Sequence, residues 1–267
     1  MATFGFIGCG NMGGALARAM AKTVSPKEIL LTNSSLEKAR ALAEELGCGV
    51  AESNERIAAT AEYIFLGVKP QMMEGMLAPL RKTLAERPTR FILVTMAAGL
   101  TTARIREMAG GDYPVIRIMP NTPSSIGEGM ILYSADSGVL DIELQVFLNA
   151  MSAAGRLSPL PEHLMDAGSA VSGCGPAFVD LFVEALADGG VACGLPRASA
   201  LEFAAQMVMG SAKLILESGQ HPGALKDAVC SPGGTTIQGV RALEEGGFRG
   251  TVMNAVIKAY EKNFDLK

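Results

Sequence analysis

A short apolar run, Thr3 to Ile7, leads into Gly8-Cys9-Gly10-Asn11-Met12-Gly13, and an Ala- and Leu-rich stretch, Met12 to Ala21, follows at helical spacing. A Gly-x-Gly-x-x-Gly turn between a strand and a helix is the dinucleotide-binding fingerprint, and the strand before it makes the motif specific. Gly8 permits the tight turn, Gly10 lets backbone approach a pyrophosphate, and Gly13 lets helix and sheet pack closely. The free N–H groups of the helix start attract phosphate charge.

The rest of the N-terminal half repeats that alternation. Strand-like apolar runs occur at Ile29 to Leu31, Tyr63 to Val68, Phe91 to Thr95, Val115 to Met119 and Met130 to Tyr133. Helical stretches such as Leu36 to Leu46 and Met72 to Ala85 separate most of them. The expectation is an α/β fold, a Rossmann-type doubly wound and mainly parallel sheet with helices on both faces. From about Pro161 the strand signals stop and the chain reads as all helix. The expected junction is Gly155 to Glu162, giving a dinucleotide-binding domain of 1–160 and a helical domain of 161–267. In that second part Leu201, Ala204, Ala205, Val208, Ala212 and Ile215 mark one helical face, closed by Gly219 and suited to packing against a second subunit.

Composition excludes other classes. Of 267 residues, 49% are apolar and 19% charged, so a core can form and disorder is a poor reading. A net charge of -4 lacks the basic excess that nucleic acid or an anionic membrane would need. No uninterrupted apolar run of about 18 residues is present, and no basic segment precedes the apolar start, which reads as a soluble cytoplasmic chain. Five scattered cysteines without a Cys-x-x-Cys pair, and only His163 and His221, leave no metal site and no histidine triad.

Cofactor choice is read at the end of the second strand, Leu31-Thr32-Asn33-Ser34-Ser35, where an NAD site usually carries a carboxylate. Its absence favours NADPH, with NADH as the alternative donor. Ser34 and Ser35 suit a 2'-phosphate, with Arg40 or Lys38 adding charge. The serines equally suit a helix cap before Leu36. Val68-Lys69-Pro70 and Met96-Ala97-Ala98-Gly99 follow their strands on the ligand side, and Pro120-Asn121-Thr122-Pro123 suits a nicotinamide wall. Arg117 reads as structural and the methionines as core filler.

A second glycine-rich turn, Ser231-Pro232-Gly233-Gly234-Thr235-Thr236, precedes a helix in the helical half. It suits an anion cradle for a small carboxylate, or a plain cap and turn.

Read together, the first-turn glycines, Arg117 to Pro123, Ser172 to Phe178, Ala187 to Gly190 and His221 through Thr236 resemble the pyrroline-5-carboxylate reductases over nearly the whole chain. The block ending at Thr236 is the most specific. The resemblance implies NAD(P)H-dependent reduction of 1-pyrroline-5-carboxylate to L-proline, the last step of proline biosynthesis. It also implies a helical dimerisation domain in a homodimer, with decamers in some relatives. It places cofactor contacts at Ile7, Gly8, Cys9, Gly10, Asn11, Met12, Gly13, Ser34, Asn54, Val68, Lys69, Pro70, Ala97, Ala98 and Asn121. Substrate contacts fall at Ser231, Gly233, Gly234, Thr235 and Thr236, with Ser231 and Thr236 as catalytic candidates. The chain departs from some relatives at Gly219 and Ala228. Hydroxyacid dehydrogenases share the architecture but carry a lysine after the Gly173-Cys174-Gly175 position, where this chain has none.

Overall fold

A computed structural model describes residues 3–263. Among them, eight strands form one sheet: β1 (Phe4–Ile7), β2 (Ile29–Thr32), β3 (Gly49–Val50), β4 (Tyr63–Leu66), β5 (Ile92–Thr95), β6 (Val115–Met119), β7 (Gly129–Ala135) and β8 (Gly155–Pro159). Their order is β3-β2-β1-β4-β5-β6-β7-β8. Neighbours are parallel except β6 and β7. The chain steps outward from β1 to β3, then returns to the other side of β1 as β4. This reversal is a topological switch point, and it sets the carboxyl ends of β1 and β4 side by side where open α/β sheets bind ligands.

The strands read as continuous apolar runs because both faces are covered. Phe4, Phe6, Leu31, Phe65 and Val94 pack on one face with helices Asn11–Met20, Leu36–Leu46 and Asp141–Met151. Ile7, Ile64, Leu66 and Leu93 pack on the other with helices Asn54–Thr60 and Thr102–Ala109. Parallel register sets Phe4 beside Tyr63 and Phe6 beside Phe65, and their rings stack at 5.0 and 4.4 Å. Each large side chain buried this way contributes about 1.5–3 kcal/mol.

Two strands lie outside the sequence expectation. β3 is two residues in a glycine-rich stretch, too short to show a period. β8 lies inside the expected junction, where Gly155 and Pro159 read as loop; Gly155 takes φ 135° against the backbone of Gly129, and Pro159 closes an edge strand that tolerates it. The expected helix from Met72 to Ala85 is broken around Pro79 into Met73–Leu77 and Arg81–Ala85.

The chain divides into two compact units, one running to Cys174 and resuming at Ala259, the other spanning Gly175–Lys258. The compact first unit thus extends past the expected junction to Cys174. The segment after β8, through the π-helical Ser169–Gly173, belongs with the sheet because Met165 packs on Met119 and Leu132.

The second unit is helical throughout: Gly175–Ala192, Arg197–Ser218, Pro222–Val229 and Thr235–Glu245, with most of Phe248–Lys262. Its small residues make the close approaches, with Ala187, Ala200 and Ala204 buried. Leu181, Phe203, Met209, Leu214, Leu216 and Met253 are each more than half exposed. On the expected face Ala204 is buried and Val208 half-buried, while Leu201 and Ile215 stand exposed. By length and composition the helical stretch Glu162–Ala192, whose first part belongs to the first unit, is apolar enough to cross a membrane, with only 11% of its most apolar window buried. Asp166, Asp180, Glu184 and Asp188 interrupt the stretch, so it holds no long unbroken apolar run. Uncovered apolar surface on this scale is the mark of an interface.

Candidate functional site

Two clefts of about 560 and 710 Å³ open at the switch point and share Gly10, Gly67, Val68 and Lys69 as walls. The smaller is completed by Asn11, Met12, Gly13, Pro70, Met96, Ala97, Ala98, Met119 and Pro120. The larger is lined by Ile7, Gly8, Thr32, Asn33, Ser34, Glu52, Ser53 and Asn54, with Met72, Gly75 and Met76.

Backbone contact at the turn explains its glycines. Gly8 has φ 103°, and a Cβ there would meet the backbone of Gly67. A Cβ on Gly67 or on Gly13 would strike the Gly8 carbonyl oxygen. Gly13 is thus required by the turn folding back on its own helix, a tighter restraint than helix-on-sheet packing. Gly10 differs, because nothing lies within 4 Å of where its Cβ would be. It is the N-cap of Asn11–Met20, and no side chain caps that helix. Uncapped N–H groups facing open space are what a pyrophosphate needs.

Most cofactor-facing residues expected from the sequence line these clefts. Cys9 and Asn121, and the 2'-phosphate candidates Ser35, Lys38 and Arg40, lie outside the lining. The Cys9 N–H donates to Asn33 Oδ1 at 3.1 Å, and its thiol donates to the Thr32 carbonyl at 3.4 Å. Burial pushes that thiol up to about 11, so Cys9 is a core residue that ties the turn to β2. Asn121 is a strut: Oδ1 accepts from Met130 N–H at 2.9 Å and Nδ2 donates to the Ser172 carbonyl at 3.0 Å. It holds the wall that Met119 and Pro120 present. Ser35 stands at the N-cap of Leu36–Leu46, yet its hydroxyl makes no cap bond.

The sequence reading missed Gly67, Glu52 and Ser53. Gly67 is legible in hindsight as a glycine following the β4 run. Ser53 caps Asn54–Thr60, accepting from Arg56 N–H at 3.3 Å, which turns Asn54 toward the larger cleft. Arg117, read as structural, lies wholly buried in β6 and donates to Asp166 Oδ1 at 2.5 Å. Glu162 accepts from the N–H and hydroxyl of Thr102 at 2.6 and 2.9 Å. Together they fix the segment packed over Met119.

The glycine-rich turn of Ser231 to Thr236 lies in the second unit. Gly233 takes φ 69°, and Gly234 N–H donates to the Ser231 carbonyl at 3.0 Å. A Cβ on Gly234 would meet Ser231 Oγ. The following helix, Thr235–Glu245, has Gly234 as its N-cap and no side-chain cap. No side chain takes up the first N–H groups of that helix, and the residues Ser231, Thr235 and Thr236 with their hydroxyls are exposed. That arrangement can hold a carboxylate. Upstream, His221 Nδ1 accepts from Gly223 N–H at 3.0 Å and caps Pro222–Val229, which gives this histidine a structural task. Among the described residues no cluster has the makings of a metal site.

Comparison with known proteins agrees with this geometry. Residues 162–266 match the family model described as pyrroline-5-carboxylate reductase dimerisation, and residues 3–99 match that of NADP oxidoreductase, coenzyme F420-dependent. The pyrroline-5-carboxylate reductase of Escherichia coli is 42% identical over 98% of this chain and 97% of its own. That of Pisum sativum is 39% identical over 99% and 96%. Among solved structures, the Plasmodium falciparum pyrroline carboxylate reductase with NADP bound superposes with a TM-score of 0.87 at 31% identity, covering 99% of this chain and 98% of the other. The Coxiella burnetii enzyme gives 0.90 at 31% identity, covering 100% and 98%.

Proposed function

The chain belongs to the pyrroline-5-carboxylate reductase family, and from that membership we propose how its own residues carry out the family's reaction. It is an NADP-dependent oxidoreductase that reduces 1-pyrroline-5-carboxylate to L-proline, the last step of proline biosynthesis. The observation that carries the reading is the pair of uncapped helix starts, one at Gly10 and one at Gly234.

The cleft residues fit the cofactor: the N–H groups after Gly10 hold the pyrophosphate, Ser34 and Asn54 the adenosine end, and Val68 to Pro70 with Ala97 and Ala98 the nicotinamide end. Bound NADPH supplies the hydride. The Ser231 to Thr236 turn holds the substrate carboxylate by the helix-start N–H groups and the Ser231 hydroxyl. The cyclic imine gains a hydride at carbon and a proton at nitrogen. The Thr236 hydroxyl hydrogen-bonds that nitrogen and relays its proton, making the carbon a better hydride acceptor. No histidine is required in this scheme.

The exposed apolar side chains of the helical unit support self-association, with a homodimer as the proposed unit and a decamer of five such dimers as its larger form. Free cysteines suit a reducing compartment, and the cytoplasm is the proposed location. The direct test is loss of NADPH absorbance on adding 1-pyrroline-5-carboxylate near neutral pH, with a plain 2-keto acid beside it. Oxidation by the imine alone is expected; equal rates with the keto acid would refute the assignment.

A further inference from the structure

The larger cleft contains a carboxylate at the edge where the end of β2 has none. β3 pairs with β2 as Leu30 with Gly49 and Leu31 with Val50, and Ala51 N–H donates to the Leu31 carbonyl at 2.9 Å. Glu52 lies two residues past the end of β3 and Asn33 one residue past the end of β2, and both line this cleft. The end of β2 is where dinucleotide sites that accept ribose hydroxyls carry their acid. Glu52 lines the cleft with Ser34, Ser53 and Asn54. Arg40, on the helix after β2, brings Nη2 to 4.0 Å from Glu52 Oε1. The two side chains are 61% and 85% exposed, so the pair is loose and each partner is free to turn to a ligand.

We propose that Glu52 and Arg40 together set the choice between NADPH and NADH. Glu52 accepts a hydrogen bond from the adenosine 2'-hydroxyl of NADH. Arg40 turns from Glu52 to pair with the 2'-phosphate of NADPH, offsetting the repulsion between that phosphate and the nearby carboxylate. Removing the acid deletes an acceptor for NADH and a repulsion for NADPH, and both changes move preference the same way. Removing the guanidinium leaves Glu52 unopposed and moves it back.

This inference rests on the assignment of the cleft to NADP(H), and its test separates the two. Dissociation constants for NADPH and NADH are measured on the full chain by nicotinamide fluorescence without imine, for wild type, Glu52→Gln and Arg40→Gln. Competition by 2',5'-ADP and 5'-AMP gives the same comparison without nicotinamide. The NADH-to-NADPH ratio of dissociation constants is expected to rise about threefold to tenfold in Glu52→Gln and to fall by a similar factor in Arg40→Gln, the scale of one charge-assisted contact at an exposed site. The 5'-AMP to 2',5'-ADP ratio moves in parallel. A Glu52→Gln ratio within about twofold of wild type overturns the proposal, whatever Arg40→Gln does. A wild-type chain that binds neither dinucleotide defeats the cofactor assignment and the proposal with it.

Discussion

Gly10 and Gly13 lie three residues apart in one turn, and the same added methyl should do opposite things at each. At Gly10 the backbone is φ -69°, ψ -165°, open to any residue, and no atom lies within 4 Å of the new Cβ. Restricting the unfolded chain stabilises by about 0.4–1 kcal/mol. Losing glycine for alanine at an N-cap costs about as much, so Gly10→Ala should leave the melting temperature nearly unchanged. The methyl instead occupies the space over the helix-start N–H groups. Losing one charge-assisted hydrogen bond there costs about 1.5–3 kcal/mol, or about 10- to 150-fold in NADPH affinity. At Gly13 the methyl meets the Gly8 carbonyl oxygen, a backbone atom that cannot swing aside. An overpacking cost of about 3 kcal/mol against a helix-propensity gain of about 1 leaves a net loss of about 2 kcal/mol. In a unit of this size that lowers the melting temperature by about 4–8 °C. Thermal melts without cofactor and NADPH titration by fluorescence read the two effects separately. Gly10→Ala binding NADPH within about twofold of wild type would refute the pyrophosphate assignment, and an undiminished melting temperature in Gly13→Ala would refute the contact with Gly8.

Thr236→Val should lower turnover by about tenfold to a thousandfold, with Thr236→Ser recovering most of it, if the hydroxyl acts on the ring nitrogen; unchanged turnover in steady-state assays removes that role. Arg90 hydrogen-bonds Glu143 through Nε and Nη2 at 2.5 and 3.0 Å and holds its carboxyl below the usual carboxylate range. A depressed folded-state value means the stability it adds is complete above the unfolded value of about 4.3 and fades as pH falls through the folded one. Glu143→Gln should therefore flatten the acid limb of a urea-melt pH series, and an identical limb would count against the pair. Cys9, with its thiol raised to about 11, should resist alkylation at pH 8 in the native state while exposed Cys193 reacts first, as read by peptide mass spectrometry; early labelling of Cys9 would contradict its burial. Charges at Leu201 and Ile215, as Leu201→Glu with Ile215→Glu, should shift sedimentation toward monomer, and an unchanged coefficient would remove that face from the interface.

What the sequence shows plainly is whatever repeats or is locally forced. The strand runs from Phe4 to Met119 are legible because burial on both faces demands unbroken apolar residues. The first turn is legible because Gly8 needs a positive φ and Gly13 a bare Cα. Hidden are the features that one strand lends to another. Gly67 matters only because β4 lies beside β1, so that two glycines touch across the switch point. Cys9, placed in the middle of the fingerprint, turns inward because Asn33 on the neighbouring segment takes its N–H. Asn121 sits in a loop that suits a cofactor wall, yet Met130 and Ser172 engage both ends of its amide, and neither partner can be found from local spacing.

The same reasoning accounts for the cofactor edge and for the helical unit. A fingerprint read along one chain segment looks for its acid at the end of β2, whereas Glu52 reaches the cleft from the bend just after β3, a strand too short to leave a pattern. Because β2 and β3 pair side by side, the segments that follow both strands line one cleft, and an acid there need not lie on β2. In the helical unit the apolar positions are legible but their partner is not, since no period distinguishes a core within one chain from a surface completed by another. Phe203, Met209 and Leu216 are apolar for a reason that their own unit does not supply. That surplus, in a unit whose own helices meet chiefly through alanines such as Ala187, Ala200 and Ala204, is the physical argument that stability and self-association in this half of the chain are one property.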